Sequence, residues 1–184
     1  MPTVTIRPVA NGDVIQQRPN DSATNYENVD EVTADGDTTF NDNPDSTYTT
    51  RDDLYQLEDI SLPEGAVINS VTVYYVARNI VSGYGHSYAL IKTHDTVYRG
   101  SVHDPPDSYR TYSQVYTTNP YTGNPWTVEE VNALQAGTRL TTEYYSAIGA
   151  YTGGRVTQVY VVVDYSIPTV AHRFQGDGLT LIVS

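Results

Sequence analysis

An antiparallel all-β sandwich with one short capping helix, at about 127–136, is the fold this sequence predicts, and three observations predict it. Runs of β-branched and aromatic residues alternate with polar ones along most of the chain, the period-2 signature of half-buried strands. Turn chemistry separates the runs, as at Leu62-Pro63-Glu64-Gly65 and Thr152-Gly153-Gly154. A helix start signal occurs in only one place. Strands that follow strands build stacked sheets and not a βαβ layer. A chain of 184 residues suits one such domain with a substantial core.

Taken in order, Thr3 to Pro8 alternates as a first strand, with Asn11-Gly12 as a turn signal behind it and Val14-Ile15-Gln16 as a short second strand. The segment 18–52 is polar and acidic with little periodicity, which reads as an ordered functional loop or a mobile one. Two alternating runs then flank the Leu-Pro-Glu-Gly turn between Asp53 and Arg78. In the second run Val71, Val73, Tyr75 and Ala77 share one face, predicted to be core, while Ser70, Thr72, Tyr74 and Arg78 share the wet one.

These residues also carry a resemblance. The order strand, Asp59-Ile60-Ser61-Leu62-Pro63-Glu64-Gly65-Ala66, strand resembles the central hairpin of jelly-roll β-sandwich modules of the DNRLRE type, found in secreted carbohydrate-active and cell-surface proteins. Similar modules occur in phage and archaeal surface proteins. The match covers Asp52 to Arg78, and the strand before the turn departs from the family's Arg-containing pattern. It implies a jelly roll; a fold does not by itself imply a function.

Beyond Gly85 the sequence predicts strands at 86–93 and 96–100, a loop at His103-Asp104-Pro105-Pro106-Asp107, and a strand from Tyr109 to Thr118. Thr127 with Glu130 forms a capping box, and Trp126 with Val131 a hydrophobic staple. Val128, Val131 and Leu134 would line the apolar stripe, Gly137 would end the helix, and Trp126 would plug one end of the sandwich. Arg139–Ile148 and Arg155–Tyr165 read as an antiparallel pair across Thr152-Gly153-Gly154. The domain is expected to span 1–168, with 169–184 as an extension that ends in Leu179-Thr180-Leu181-Ile182-Val183. An unguarded apolar strand needs a partner, either an edge of its own sheet or the sheet of a neighbouring subunit. Leu179, Leu181, Ile182 and Val183 are therefore the candidate subunit contacts.

Composition bounds the function. A net charge of −12 with only 10 Lys+Arg leaves no basic footprint for nucleic acid. No apolar run is long enough for a membrane span. The opening Met1-Pro2-Thr3 lacks the charged and apolar regions of a signal peptide, which reads in one of two ways: a leader has been removed, or the protein leaves the cell without one, as a virion component does on lysis. Zero Cys removes disulfides, thiolate nucleophiles and Cys-ligated metals.

Asp35, Asp37, Asp42 and Asp45 supply hard oxygens in a short arc, the chemistry of a calcium site, although the spacing is not that of an EF-hand; the other reading is a solvated acidic loop. Of 17 tyrosines, Tyr84, Tyr109, Tyr112 and Tyr121 are the candidates for exposed aromatics that line a groove and stack on sugar rings. The four histidines are spread too widely for adjacent metal ligands, and no catalytic motif is present. The sequence therefore predicts a non-enzymatic structural protein, a self-assembling surface subunit of a virion or extracellular filament and a homo-oligomer or polymer. The alternative is a calcium-stabilised carbohydrate-binding module.

Overall fold

The computed structural model describes residues 1–21, 24–168, 170–175 and 178–183, the last two ranges by backbone alone. Its strands are β1 (Thr3–Ile6), β2 (Pro8–Ile15), β3 (Arg18–Pro19), β4 (Asn41–Asp42), β5 (Thr50–Leu57), β6 (Val67–Asn79), β7 (Ser87–Thr93), β8 (Thr96–Arg99) and β9 (Arg110–Tyr116). After the helix α1 (Val128–Asn132) come β10 (Gln135–Thr141), β11 (Glu143–Tyr145), β12 (Ala150–Thr152), β13 (Gly154–Ser166), β14 (Val170–Gln175) and β15 (Gly178–Val183). All pairings are antiparallel.

Two sheets stack face to face. One is ordered β3-β4-β13-β6-β9, with β1 also paired to β13; the other is β2-β5-β10-β7-β8. Within them β1-β13-β6-β9 opposes β5-β10-β7-β8, the strand order of a jelly roll. Alternation places Val71, Val73, Tyr75 and Ala77 of β6 and Val159, Val161 and Val163 of β13 in the core, against Tyr55, Ala89, Ile91, Ala136 and Leu140 of the opposite sheet. β13 is central, as its apolar faces predict. The Tyr75 hydroxyl lies 3.0 Å from Ser87 Oγ, which ties the two layers together inside the core.

Several sequence expectations change. β5 and β6 are consecutive but lie in opposite sheets, so the Leu-Pro-Glu-Gly segment is a crossover and not a hairpin turn. Asn11-Gly12 lies within β2, at an irregularity in its pairing with β5, because Gly12 presses on the Leu54 backbone where a Cβ would come within 2.5 Å of the Leu54 carbonyl oxygen. The helix is shorter than 127–136. It has its capping box and ends at Asn132, because Gln135 and Ala136 pair on both sides with β5 and β7. Gly137 is not a helix cap; it lies in β10, where a Cβ would sit 1.9 Å from the Asp53 carbonyl oxygen. The predicted pair of 139–148 with 155–165 is also replaced. β10 lies in the sheet opposite β13, and β11 and β12 make a small hairpin of their own.

The acidic segment is ordered by a buried amide cluster. Asp53, fully buried on the inner side of β5, accepts from the backbone N–H of Gln16 and Gln17, from Asn25 Nδ2 and from the Tyr55 hydroxyl, at 2.7–2.9 Å. Asn41 donates to the Asn25 carbonyl and to the Tyr55 hydroxyl, and Asn43 reaches the Leu140 carbonyl of the facing sheet at 3.1 Å. Burial raises the Asp53 carboxyl above its ordinary value, and its four donors oppose that rise. Polar sequence here means an interior of paired amides, with Gln17 Oε1 and Glu31 Oε2 left without a hydrogen-bond partner.

Candidate functional site

The four carboxylates of the predicted calcium site are divided among separate partners. Asp45 is gripped by Arg51 through two bonds of 2.7 and 2.8 Å, which hold its carboxyl below the ordinary range. Asp42 is gripped by Arg18 at 3.1 and 2.9 Å. Asp35 accepts from Thr39 and Thr157. Asp37 takes Arg78, Arg155 and the Tyr109 hydroxyl. Burial pushes the Asp37 carboxyl up, but those hydrogen bonds outweigh it and leave the group lowered. Calcium requires six to eight oxygens around one point. The residues as placed do not fit a shared ion, and among the described residues no three His, Asp or Glu side chains are grouped to hold one.

The four candidate tyrosines are likewise dispersed. Tyr112 points into the sandwich and packs 5.4 Å from the Tyr75 ring and 4.7 Å from His103. Tyr109 lies under the Arg78 guanidinium, its hydroxyl pushed up to about 12 by burial. Tyr84 packs 4.4 Å from Tyr145. Only Tyr121 is largely open, at 54% exposure, and it stacks on His94 at 4.5 Å with the rings 5° apart. That ring pair adjoins a groove of about 280 Å³ lined by Thr93, His94, Glu129, Glu130 and Ala133. A wider groove of about 650 Å³ opens beside Ala133 and Asn132, with Gln56, Glu58, Asp59 and Gln135 in its wall. The helix start that positions the first groove is legible in the sequence. Thr127 Oγ1 accepts from Glu130 N–H at 3.1 Å, and Trp126 anchors the turn through Nε1 to the Tyr116 carbonyl.

Sequence reasoning missed a histidine cluster. His86 Nδ1 lies 2.5 Å from Asp104 and its Nε2 lies 2.6 Å from Glu143 at the start of β11, so three segments distant in sequence meet at one ring. Both nitrogens are engaged, which leaves neither free to take a proton from a nucleophile. The cluster acts as a clasp. No spacing rule could have found it, because its members are 18 and 57 residues from His86, by subtraction of their positions.

The outer faces of the two sheets differ. On β1-β13-β6-β9 the middle outward rows run Thr5-Val162-Thr72-Val115, then Tyr160-Tyr74-Ser113, then Gln158-Val76-Thr111, with the row Thr3-Asp164-Ser70 before the first and the pair Arg155-Arg78 beyond the last. No residue in the three middle rows is charged, and Tyr74 and Tyr160 stack at 4.9 Å with an interplanar angle of 5°. The Arg7 guanidinium covers Tyr160 at one border, and the Asp37, Arg78 and Arg155 cluster lies at another. On β5-β10-β7-β8 the outward row is Asp52-Arg139-Tyr88, joined by a two-bond ion pair of 2.7 and 2.6 Å. Lys92 beside it binds both Asp13 and Asp95, and Arg99 covers Tyr88 at 4.8 Å.

The chain from 170 onward does not close an edge of either large sheet among the described residues. β14, read from sequence as part of a connector, pairs with β15 from Val170↔Val183 to Gln175↔Gly178. Among the described residues this hairpin is a sheet of two strands that joins neither large sheet. The expected closure of an edge of its own sheet is therefore corrected. Leu179, Leu181, Ile182 and Val183 lie in β15 by their backbone, and their side-chain contacts lie outside the described residues.

No protein-family profile matches the chain, and no curated protein matches it. Among solved structures it is similar to one described as "CBM4 structure and function", at 10% sequence identity and a TM-score of 0.33, over 83% of this chain and 87% of that one. Among the described residues no helix is long and apolar enough to cross a membrane.

Proposed function

We propose that this chain is a non-enzymatic structural protein: a jelly-roll subunit that assembles with copies of itself on the surface of a virion or an extracellular filament. The observation that carries this reading is the separate β14–β15 hairpin. A two-stranded hairpin is marginal in water, since its edges leave N–H and C=O groups unpaired and it has no third strand to bury its apolar residues. Leu179-Thr180-Leu181-Ile182-Val183 carries no charge to guard that edge. Pairing with the hairpins of other copies supplies the missing strands. The test is to delete residues 179–184 and measure particle size by light scattering. The expected result is a monomer with an unchanged far-UV spectrum; assembly indistinguishable from that of the full chain would overturn the reading.

A second reading, a carbohydrate-binding module, is favoured by the open Tyr121–His94 ring pair beside a groove with two glutamates. A sugar ring needs an apolar platform and nearby acceptors for its hydroxyls. A glycan array probed with the wild type and Tyr121→Ala decides it. Binding lost in the variant supports the module, and a blank array for the wild type removes it.

A further inference from the structure

We infer that the β14–β15 hairpin of one copy docks on the β11–β12 hairpin of the next, a head-to-tail contact that repeats along an open filament. This rests on the assembly reading above and names the surface that receives the hairpin.

The receiving surface is the other small sheet of the molecule. Like β14–β15, the β11–β12 hairpin joins neither large sheet, so its backbone edges are open among the described residues. The chain carries no charge from Tyr144 to Gly154, and much of that stretch stands in solvent, with Tyr144 53% and Ile148 59% exposed. Ile148, Ile80 and Tyr151 line one pocket of about 230 Å³, and Tyr144 meets Tyr151 edge to face at 5.3 Å. The carboxylates nearby are already engaged. Asp45, which also lines the pocket, is gripped by Arg51, and His86 holds Glu143 and Asp104 at the root of the hairpin. An exposed patch of aromatic and aliphatic residues with its charges paired off has the anatomy of a contact surface.

Reach selects the occupant. β12 leads into one end of β13, and β14 begins four residues beyond the other end, by subtraction of Ser166 from Val170. The 13 residues of β13 hold those ends about 40 Å apart. A four-residue link extends at most about 14 Å, and a six-residue strand adds about 17 Å. A chain's own hairpin therefore falls short of its own β11–β12 surface. The hairpin of another copy does not. It brings Leu179-Thr180-Leu181-Ile182-Val183, a strand with no charge, to a receiver with none from Tyr144 to Gly154. Pairing of β15 with a second β15 would stop at two copies and leave Tyr144 and Ile148 bare, whereas docking on β11–β12 covers both exposed sheets. Each copy then keeps one hairpin and one receiver free at opposite ends, and an interface between unlike surfaces of this kind propagates.

The experiment is sedimentation velocity on the full chain, the 179–184 deletion, Ile148→Glu, an equimolar mixture of those two variants, and a control, Val97→Glu, on β8. Ile148 and Val97 are 59% and 43% exposed, so the new carboxylates enter solvent and not the core. The expected result is that the deletion and Ile148→Glu each need at least tenfold more protein to assemble, with the melting temperature of Ile148→Glu unchanged, while Val97→Glu behaves as wild type. Tyr144→Glu replaces Ile148→Glu if that one melts early. The mixture should form two-copy particles and stop, because the deletion keeps only a working receiver and Ile148→Glu only a working hairpin. Assembly of both receiver variants at wild-type concentration, or a mixture that stays monomeric, overturns the inference and leaves the assembly reading standing. Assembly by the deletion chain, or a wild type that stays monomeric at every concentration, overturns both.

Discussion

The two outer faces of the sandwich answer to the same folding requirement and are built from different chemistry. Both sheets bury their inner rows in one apolar core, so folding dictates the inward residues of β5, β6, β10 and β13 alike. Outward residues are released from that demand. On the five-stranded sheet they form a ladder of ion pairs, Asp52 with Arg139 and Lys92 with Asp13 and Asp95. On the six-stranded sheet the middle rows are Thr, Val, Ser, Gln and Tyr, and charge enters only with Asp164 at one end and Arg78 and Arg155 at the other. Stability does not explain the difference, because exposed ion pairs contribute little. On one sheet charge runs through the middle of the outer face, and on the other it is confined to the rows at either end.

The largest test of this contrast removes what the two faces share. Asp53 points inward from the strand whose Asp52 points outward, and Asp53→Ala would take the acceptor from three buried donors, those of Gln17, Asn25 and Tyr55. Urea unfolding should show a loss of about 3 kcal/mol or more, with assembly lost alongside it. A loss below about 1 kcal/mol would mean that the amide cluster does not hold the acidic segment to the sheet.

Next in size is the charged face itself. Arg139→Met leaves Asp52, largely shielded, without its two charge-assisted bonds, and should cost about 1–2 kcal/mol. Light scattering should find assembly unchanged. Impaired assembly at preserved stability would make the charged face an interface and invert the comparison.

The smallest effect lies at the border of the less charged face. Asp37 is lowered in the folded state, so it contributes stability above its unfolded value near 3.8 that is lost as pH falls through the lower folded value. With its side chain 53% exposed, screening keeps that contribution under about 1 kcal/mol. Thermal melts of Asp37→Asn should therefore lie slightly below wild type at pH 7 and coincide with it near pH 2. A gap that persists at the acid end would assign the effect to packing and not to charge.

Much of the fold was legible because a strand's inward and outward positions alternate in the sequence itself. Val71 to Ala77 declare a core face before any partner is known, and Thr127 with Glu130 declares a helix start within four residues. The candidate site was less legible. Asp35, Asp37, Asp42 and Asp45 look like one acidic arc because they are close in sequence, yet Arg18, Arg51, Arg78 and Arg155 draw three of them apart. Polarity misled as well, since Asn25, Asn41 and Asn43 belong to the interior once Asp53 and Tyr55 are there to receive them.

By itself, then, the sequence determined the all-β class, the core face of the central strands and the capped start of the α-helix. Each of these rests on contacts or periodicities within a few residues. Only the tertiary structure decided that β5 and β6 part into opposite sheets, that Gly137 serves a close strand contact, that His86 joins Asp104 to Glu143, and that charge crosses the middle of one outer face and only the ends of the other. Those outcomes depend on which strands become neighbours. That is settled by ladder hydrogen bonds and burial summed over the whole sandwich, a quantity no local window contains.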